Sequence, residues 1–173
     1  MEKLPKKQRA LYEAVSHRTE RGQEPTERLL KVMKKVFNLP ISIEEISDML
    51  ISSELIEPMW VLMQSLRKNY KVAVLTNNQK DWPEEQLRRL GLNFKGVTLF
   101  NSAYIGVRKP LKYPYLYVLK HLKNNPSEVI FIDDKAANIK TAEELGFNTI
   151  HFTGNIKDVM DQLKNYGIKV TIE

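Results

Sequence analysis

The pattern of apolar and polar residues changes near residue 55. Before that point, apolar side chains such as Tyr12 and Val15 recur at helical spacing, and the same period continues through "PTERLLKVMKKVFNL". Ser42, followed three residues later by Glu45, forms the capping-box pattern that starts a helix in "SIEEISDMLI". Residues 1–55 are therefore predicted to contain helices only, with the apolar stripes as their core faces.

After residue 55 short apolar runs alternate with helical patterns, and Asp81 is predicted to be an N-cap. The predicted strands are "KVAVLTN", "GVTLF", "EVIFI", "NTIHF" and an edge strand "KVTI". Strands that are apolar almost throughout and separated by helices indicate a parallel sheet covered on both faces. Residues 56–173 are thus predicted to form an α/β, Rossmann-like core beside the helical segment.

Composition excludes several classes of function. The 173 residues contain no cysteine, so disulfides and thiol catalysis are excluded, and the composition fits a reducing compartment without proving one. The net charge is +6, but the basic residues are interspersed with acids, which argues against nucleic-acid binding. No strand leads into a GxGxxG pattern, no apolar stretch could span a membrane, and no signal peptide is visible. We expect a soluble cytoplasmic protein.

Polar residues follow three of the predicted strands. Thr76 and Asn77 form the end of the first, Lys109 comes after the second, and Asp133 and Asp134 follow the third. Taken singly, each has an ordinary interpretation: a turn, a solvated lysine, or acids that cap the next helix. Because chemistry in such sheets gathers at the carboxyl ends of the strands, their combination predicts one functional site there.

These segments resemble the haloacid dehalogenase superfamily of phosphatases and other hydrolases. "VAVLTNN" resembles its second motif, "IGVRKP" its third and "VIFIDDKAANIKTAEELGF" its fourth. The helices before residue 55 resemble the small helical cap found in sugar-phosphate phosphatases and in the N-terminal phosphatase domain of epoxide hydrolases. The fourth motif is the most specific part of the resemblance, and the cap is the least specific.

The resemblance implies a chemistry for each residue. An aspartate attacks phosphorus in this family, and water then hydrolyses the aspartyl-phosphate. Thr76 and the Asn77 amide would donate hydrogen bonds to phosphoryl oxygens, and Lys109 would neutralise their charge. Asp134 would bind Mg²⁺, with Asp133 as a second ligand or as the partner of Lys109. The expected substrate is a small phosphorylated metabolite.

The family's first motif, a strand that ends in the nucleophilic aspartate, has no counterpart in this sequence. The six aspartates are Asp48, Asp81, Asp133, Asp134, Asp158 and Asp161, and none follows an apolar strand near the start. We therefore expect a truncated, inactive hydrolase that lacks the first, central strand, and self-association through the sheet edge left exposed beside residues 72–76. The alternatives are a non-catalytic protein of the same fold, kept for binding or regulation, and a basic partner-binding module.

Overall fold

The computed structural model describes residues 4–52 and 55–170 of the 173-residue chain. These residues divide into two compact units. The first contains the described residues up to 52, together with Leu75–Lys95 and Leu99–Arg108. The second contains Leu55–Val74, Gly96–Thr98 and the described residues from Lys109 onward.

The first unit begins with three helices, as the sequence predicts. They are α1 (Lys6–Thr19), α2 (Thr26–Val36) and α3 (Ile43–Ile51). Val15 of α1 is fully buried against Leu29, Val32 and Val36 of α2, which is the helical stripe read from the sequence. Contacts between these two helices therefore form the core of the unit.

The remaining elements follow in chain order after residue 55. They are α4 (Glu57–Leu66), β1 (Ala73–Thr76), α5 (Trp82–Arg89), β2 (Thr98–Asn101), α6 (Ser102–Ile105), α7 (Lys112–Leu122), a 3₁₀ turn (Pro126–Glu128), β3 (Ile130–Asp133), α8 (Ala136–Glu144), β4 (Asn148–His151) and α9 (Ile156–Asn165). This alternation of strands and helices confirms the α/β class. In the second unit, Leu62 of α4 and Ile150 of β4 pack with Val159 and Leu163 of α9 to form the core.

Within the described residues the strands form two pairs. β1 pairs with β2 in one two-stranded sheet, and β3 pairs with β4 in another. The β3–β4 pair is parallel, with Ile130 opposite Asn148 and Asp133 opposite His151. The sequence predicted a parallel sheet that lacks its first, central strand, and it did not specify which of the remaining strands would pair.

Two local predictions have different outcomes. The capping box of α3 is confirmed: the Glu45 N–H donates to Ser42 Oγ over 3.0 Å, and the Ser42 N–H donates to the Glu45 carboxylate over 2.7 Å. Asp81 does occupy the N-cap position of α5, but it has a positive φ of 63° and its side chain makes no capping bond. The Asp81 carboxylate instead accepts a hydrogen bond from the Tyr104 hydroxyl.

Two further predictions concern the end of the chain and the membrane. The predicted edge strand "KVTI" is not formed at residues 169–170, and its last two residues lie outside the described part of the chain. Among the helices that the structure describes, none is long and apolar enough to cross a bilayer. The prediction of a cap at residues 1–55 and a core at 56–173 stays a prediction.

Candidate functional site

Asp133, the last residue of β3, is buried and fully engaged. Its Oδ2 accepts a hydrogen bond from Lys109 Nζ over 2.6 Å. Its Oδ1 accepts two more, from the Lys135 N–H and from Asn138 Nδ2, both over 2.8 Å. Lys109 is only 8% exposed, so the ammonium and the carboxylate form a buried ion pair.

Burial and hydrogen bonding act in opposite directions on the pKa of Asp133. Burial would raise it, but the Lys109 charge and the donated hydrogen bonds outweigh burial and hold the pKa of this carboxyl below its usual value. Asn138 also ties helix α8 to its surroundings, because its backbone carbonyl accepts a bond from the buried Tyr115 hydroxyl over 3.0 Å. Burial, and then the Asp133 charge, raise the pKa of Tyr115. Because the pKa of Asp133 is lowered from 3.8, this carboxyl is ionised at neutral pH.

Asp134 differs from its neighbour because it is exposed. Its backbone carbonyl oxygen lies 3.1 Å from His151 Nε2 at the end of β4. An exposed carboxylate beside a buried one offers oxygen ligands, which Mg²⁺ prefers. Across residues 4–52 and 55–170, however, no three side chains of the His, Cys, Asp or Glu types come close enough together to hold a metal ion.

Thr76 ends β1 in the first unit, and Asn77 begins the loop that follows it. Buried polar residues surround this loop. The Asn78 N–H donates to Ser102 Oγ over 3.3 Å, and Asn101 Nδ2 donates to the Gln79 carbonyl over 3.0 Å. The loop that carries the predicted phosphate-binding groups is therefore held by side chains from the end of β2 and the start of α6.

A cavity of about 390 Å³ lies beside this loop, within the first unit. It is lined by the turn between α1 and α2 and by the start of α5, namely Thr19, Gly22, Gln23, Glu24, Pro25, Thr26, Lys80 and Asp81. Lys80 Nζ lies 5.7 Å from the centre of the Tyr104 ring, and Tyr104 in turn hydrogen-bonds Asp81. The cavity is thus lined by side chains of both charges.

The structure brings Lys109 and Asp133 together. The resemblance gave Asp133 two alternative roles, a second Mg²⁺ ligand or the partner of Lys109, and the second of these is observed. Thr76 and Asn77 belong to the other unit, and their participation in a common site stays a prediction. Sequence reasoning missed Asn101 and Ser102. The only signal was a polar Asn-Ser pair at the end of an apolar strand, which is also ordinary turn composition.

A buried lysine bonded to a carboxylate at the end of a parallel strand fits a hydrolase with a Rossmann-type fold, the class of protein that the motifs indicated. The chain belongs to the family of haloacid dehalogenase-like hydrolases, whose model matches residues 5–146. This match covers the second and third motifs and all but the last residue of the fourth, including Asp133, Asp134 and Asn138.

Two relatives and one solved structure show the extent of the similarity. The bifunctional epoxide hydrolase 2 of Rattus norvegicus is 32% identical over 117 residues, which is 63% of this chain and 21% of that protein. The D-ribitol-5-phosphate phosphatase of Bacteroides thetaiotaomicron is 34% identical over 90 residues, 49% of this chain and 44% of that one. The chain spans less than half the length of these curated relatives.

The structural comparison supports the same fold. A haloacid dehalogenase family enzyme from Bacteroides thetaiotaomicron, solved in complex with magnesium and inorganic phosphate, has a TM-score of 0.66 and 20% sequence identity. The match covers 80% of this chain and 74% of that one. At this identity the similarity establishes the Rossmann-type α/β fold alone.

Proposed function

We propose that this chain carries the phosphate-binding and cation-binding residues of a phosphatase that acts on a small phosphomonoester. The observation that carries the proposal is the buried Lys109–Asp133 pair, whose nitrogen and oxygen lie 2.6 Å apart. Burying two charges is costly, so a pair held this way by two further hydrogen bonds favours a defined chemical task. Family membership supports the same interpretation.

Each residue would contribute a fixed positive or donor group to the phosphoryl oxygens. Thr76 Oγ1 and the Asn77 N–H would donate hydrogen bonds to them. Lys109 Nζ, held in place by Asp133, would neutralise the charge that spreads over these oxygens in the transition state. The three hydrogen bonds to Asp133 fix its orientation, so that Lys109 needs little rearrangement during the reaction.

The donor set near β3 fits Mg²⁺ in part. Asp134 would supply an exposed carboxylate oxygen, and Asp133 could supply a second only while keeping its bond to Lys109. A bound Mg²⁺ would add charge neutralisation at the phosphoryl oxygens. Two carboxylates are few for this ion, which usually keeps several waters, so we infer weak binding.

Apart from Asp133 and Asp134, which have the roles proposed above, we infer that none of the described aspartates serves as the nucleophile. Asp48 lies within α3 and pairs with Arg89, and Asp161 pairs with Lys164. Asp81 is hydrogen-bonded to Tyr104, and Asp158 lies in the first turn of α9. We therefore infer that the 173 residues alone have little turnover, since losing a nucleophile costs about 10⁴ to 10⁶ in kcat in well-studied covalent catalysts.

The test is an assay of residues 1–173 on an aryl phosphate with Mg²⁺, beside a version extended by a strand that ends in aspartate. We expect activity only in the extended version. Introducing Asp134→Asn into the extended version should abolish that activity. Strong turnover by residues 1–173 that Asp134→Asn abolishes would contradict the proposal, because a carboxylate already present would then be the nucleophile.

The same donor groups, Lys109 Nζ and the Asn77 N–H, would also suit a second function, a non-catalytic protein that binds phosphorylated ligands. NMR titration with inorganic phosphate separates the two possibilities. Phosphate binding at Asn77 without turnover in either version would support the non-catalytic function. Turnover in the extended version would reject it.

We also propose that the chain self-associates through its strands. In the described part of the chain each strand has a hydrogen-bonded neighbour on one side only, and the apolar residues of β1 and β3 are only half-buried. Ile150 of β4, by contrast, is fully buried. Unpaired strand edges favour pairing with a second copy. Sedimentation at several concentrations should show association, and a monomer at every concentration would contradict it.

A further inference from the structure

Buried polar side chains are concentrated where α1 ends and where the loop after β1 begins, all within the first unit. Ser102 is 0% exposed, Asn101 1%, Thr19 2% and Gln79 6%. Buried polar groups are costly unless they are hydrogen-bonded, and four of them around one loop, from α1, β2, α6 and the loop itself, are more than turn formation requires.

Ser102 connects two backbone segments that are far apart in sequence. Its hydroxyl donates to the carbonyl of Glu20 over 2.5 Å, and it accepts from the N–H of Asn78 over 3.3 Å. Glu20 caps the end of α1, and Asn78 follows Asn77 directly. A serine hydroxyl has one proton and two acceptor lone pairs, so a single side chain can serve both bonds.

A second connection runs parallel to the first. Asn101 Nδ2 donates to the Gln79 carbonyl over 3.0 Å, and Gln79 Nε2 donates to Thr19 Oγ1 over 3.3 Å. Asn101 Oδ1 also accepts from the Ala103 N–H over 3.0 Å, which fixes the asparagine as the N-cap of α6. The loop after β1 is thus joined at two adjacent residues to the last turn of α1.

The end of α1 is itself firmly placed. Glu20 Oε2 lies 2.7 Å from Arg108 Nε in a mostly buried ion pair. Gly22 has a φ of +65°, and a Cβ at this position would lie 2.3 Å from the carbonyl oxygen of Ala103. The turn after α1 therefore contacts the backbone of α6 directly, and the bond from Ser102 ends on a segment that has little freedom to move.

From these contacts we infer that Ser102 is a positioning residue for the phosphate-binding loop. Its hydroxyl fixes the Asn78 amide against the end of α1 and thereby sets the direction in which the neighbouring Asn77 N–H points. The inference rests on the proposed function, because it assigns the Asn77 amide to a phosphoryl oxygen. Ser102 would touch neither substrate nor metal.

The test compares Ser102→Ala with Ser16→Ala in residues 1–173. Ser16 is the matched control, since it is 9% exposed and its hydroxyl also bonds Glu20, at Oε1 over 3.1 Å, without contacting the loop. Amide hydrogen exchange is measured at Asn77 and Asn78 without ligand. Inorganic phosphate is then titrated while the Asn77 amide resonance is followed by NMR.

We expect the amides of Asn77 and Asn78 to exchange faster in Ser102→Ala only, and phosphate affinity to fall on the order of tenfold, the usual effect of one misplaced hydrogen bond. Ser102→Thr, which keeps the hydroxyl, should restore both measurements. If Ser102→Ala does not fold, Ser102→Cys gives the same comparison with a much weaker donor at similar volume.

Three outcomes would contradict part of this account, and they are distinguishable. Exchange that accelerates equally in Ser16→Ala would overturn the positioning role. Faster exchange in Ser102→Ala with unchanged phosphate affinity would show that Ser102 holds the loop but does not position it for phosphate binding. This result would overturn the inference. An unmodified chain in which phosphate leaves the Asn77 resonance unmoved would overturn the proposed function, while the exchange data would still decide whether Ser102 holds the loop.

Discussion

The ends of β1 and β3, which carry the predicted site residues, are held in different ways. At the end of β3, Asp133 takes two of its three hydrogen bonds from Lys135 and Asn138, within five residues of its own position. At the end of β1, the loop depends on Ser102 and on the last turn of α1, which are 24 to 82 residues distant from their partners. The first arrangement is mainly local, and the second is mainly tertiary.

This difference predicts how each strand end responds when contacts are removed by mutation. A local arrangement keeps most of its bonds when distant contacts are lost, since α8 brings two donors to Asp133 by its own geometry. A tertiary arrangement keeps its geometry only while α1, β2 and α6 stay packed. We therefore expect the end of β3 to be destabilised most by mutations that leave a buried charge unpaired. We expect the end of β1 to be destabilised most by mutations that disturb packing.

The largest expected effect is on the charge balance at β3. Lys109→Met leaves the buried Asp133 carboxylate without its cation, and breaking such a pair costs about 3–5 kcal/mol. Urea unfolding of the variant and of the unmodified chain measures this loss. The double variant Lys109→Met with Asp133→Asn should recover much of the stability, because no charge is then left unpaired and the amide oxygen can still accept the bonds from Lys135 and Asn138.

The control for that experiment is Lys164→Met, which removes the Lys164–Asp161 pair at the surface. Both side chains of this pair are more than half exposed, so the loss should stay below about 1 kcal/mol. Equal losses in the two lysine variants would mean that burial adds nothing to the Lys109–Asp133 pair.

The next effect concerns packing at the β1 side. Gly22→Ala should destabilise the chain more than Gly91→Ala, although both glycines have a positive φ, of 65° and 69°. The added Cβ meets the Ala103 carbonyl at 2.3 Å in the first case and nothing within 4 Å in the second. The cost of the left-handed backbone, about 1–2 kcal/mol, is common to both. The difference between their unfolding midpoints measures the clash, and equal midpoints would contradict the contact.

A smaller effect should appear on acidification. The folded state lowers the pKa of Asp133, so its ionised form adds stability above the ordinary value of 3.8, and that stability is lost as pH falls through the lowered pKa. The gap in unfolding free energy between the unmodified chain and Asp133→Asn should be constant near neutral pH and shrink at strongly acidic pH. A gap that stays constant down to pH values below the folded pKa would argue against the shift.

The smallest effect is expected at the exposed edge of the β1 loop. The hydrogen bond to Asp81, followed by burial and the Asp81 charge, raises the pKa of Tyr104 to about 12 from 10.0. The bond therefore contributes fully below pH 10.0 and is lost as pH rises through about 12. In Asp81→Asn the Tyr104 phenolate should form at lower pH by ultraviolet titration, with Tyr104→Phe identifying its signal. Stability should change by about 0.5 kcal/mol or less.

Much of the fold followed from the sequence because its signals are local. The helical stripe around Val15, the Ser42 capping box and the alternation after residue 55 each depend on residues a few positions apart. The sequence did not specify which strands pair, because strand pairing joins distant segments.

The candidate site shows the same limit. Lys109 and Asp133 were identified through motifs, and one of the two roles considered for Asp133, the partner of Lys109, is observed. The bond from Ser102 to Glu20 spans 82 residues, and no local pattern indicates it. At Asp81 the local pattern predicted a side-chain cap that is not formed. The Asp81 carboxylate instead accepts a hydrogen bond from Tyr104, which is 23 residues away in sequence.

The close approach at Gly22 has a genetic consequence. Every amino acid that can replace glycine through a single base change in its codon carries a Cβ, and at this turn a Cβ would lie 2.3 Å from the Ala103 carbonyl oxygen. Every missense mutation at this codon is therefore expected to destabilise the fold. In a deep mutational scan for folded protein, codon 22 should tolerate only synonymous changes, whereas codon 91, also a glycine with positive φ but with open space around it, should accept some substitutions.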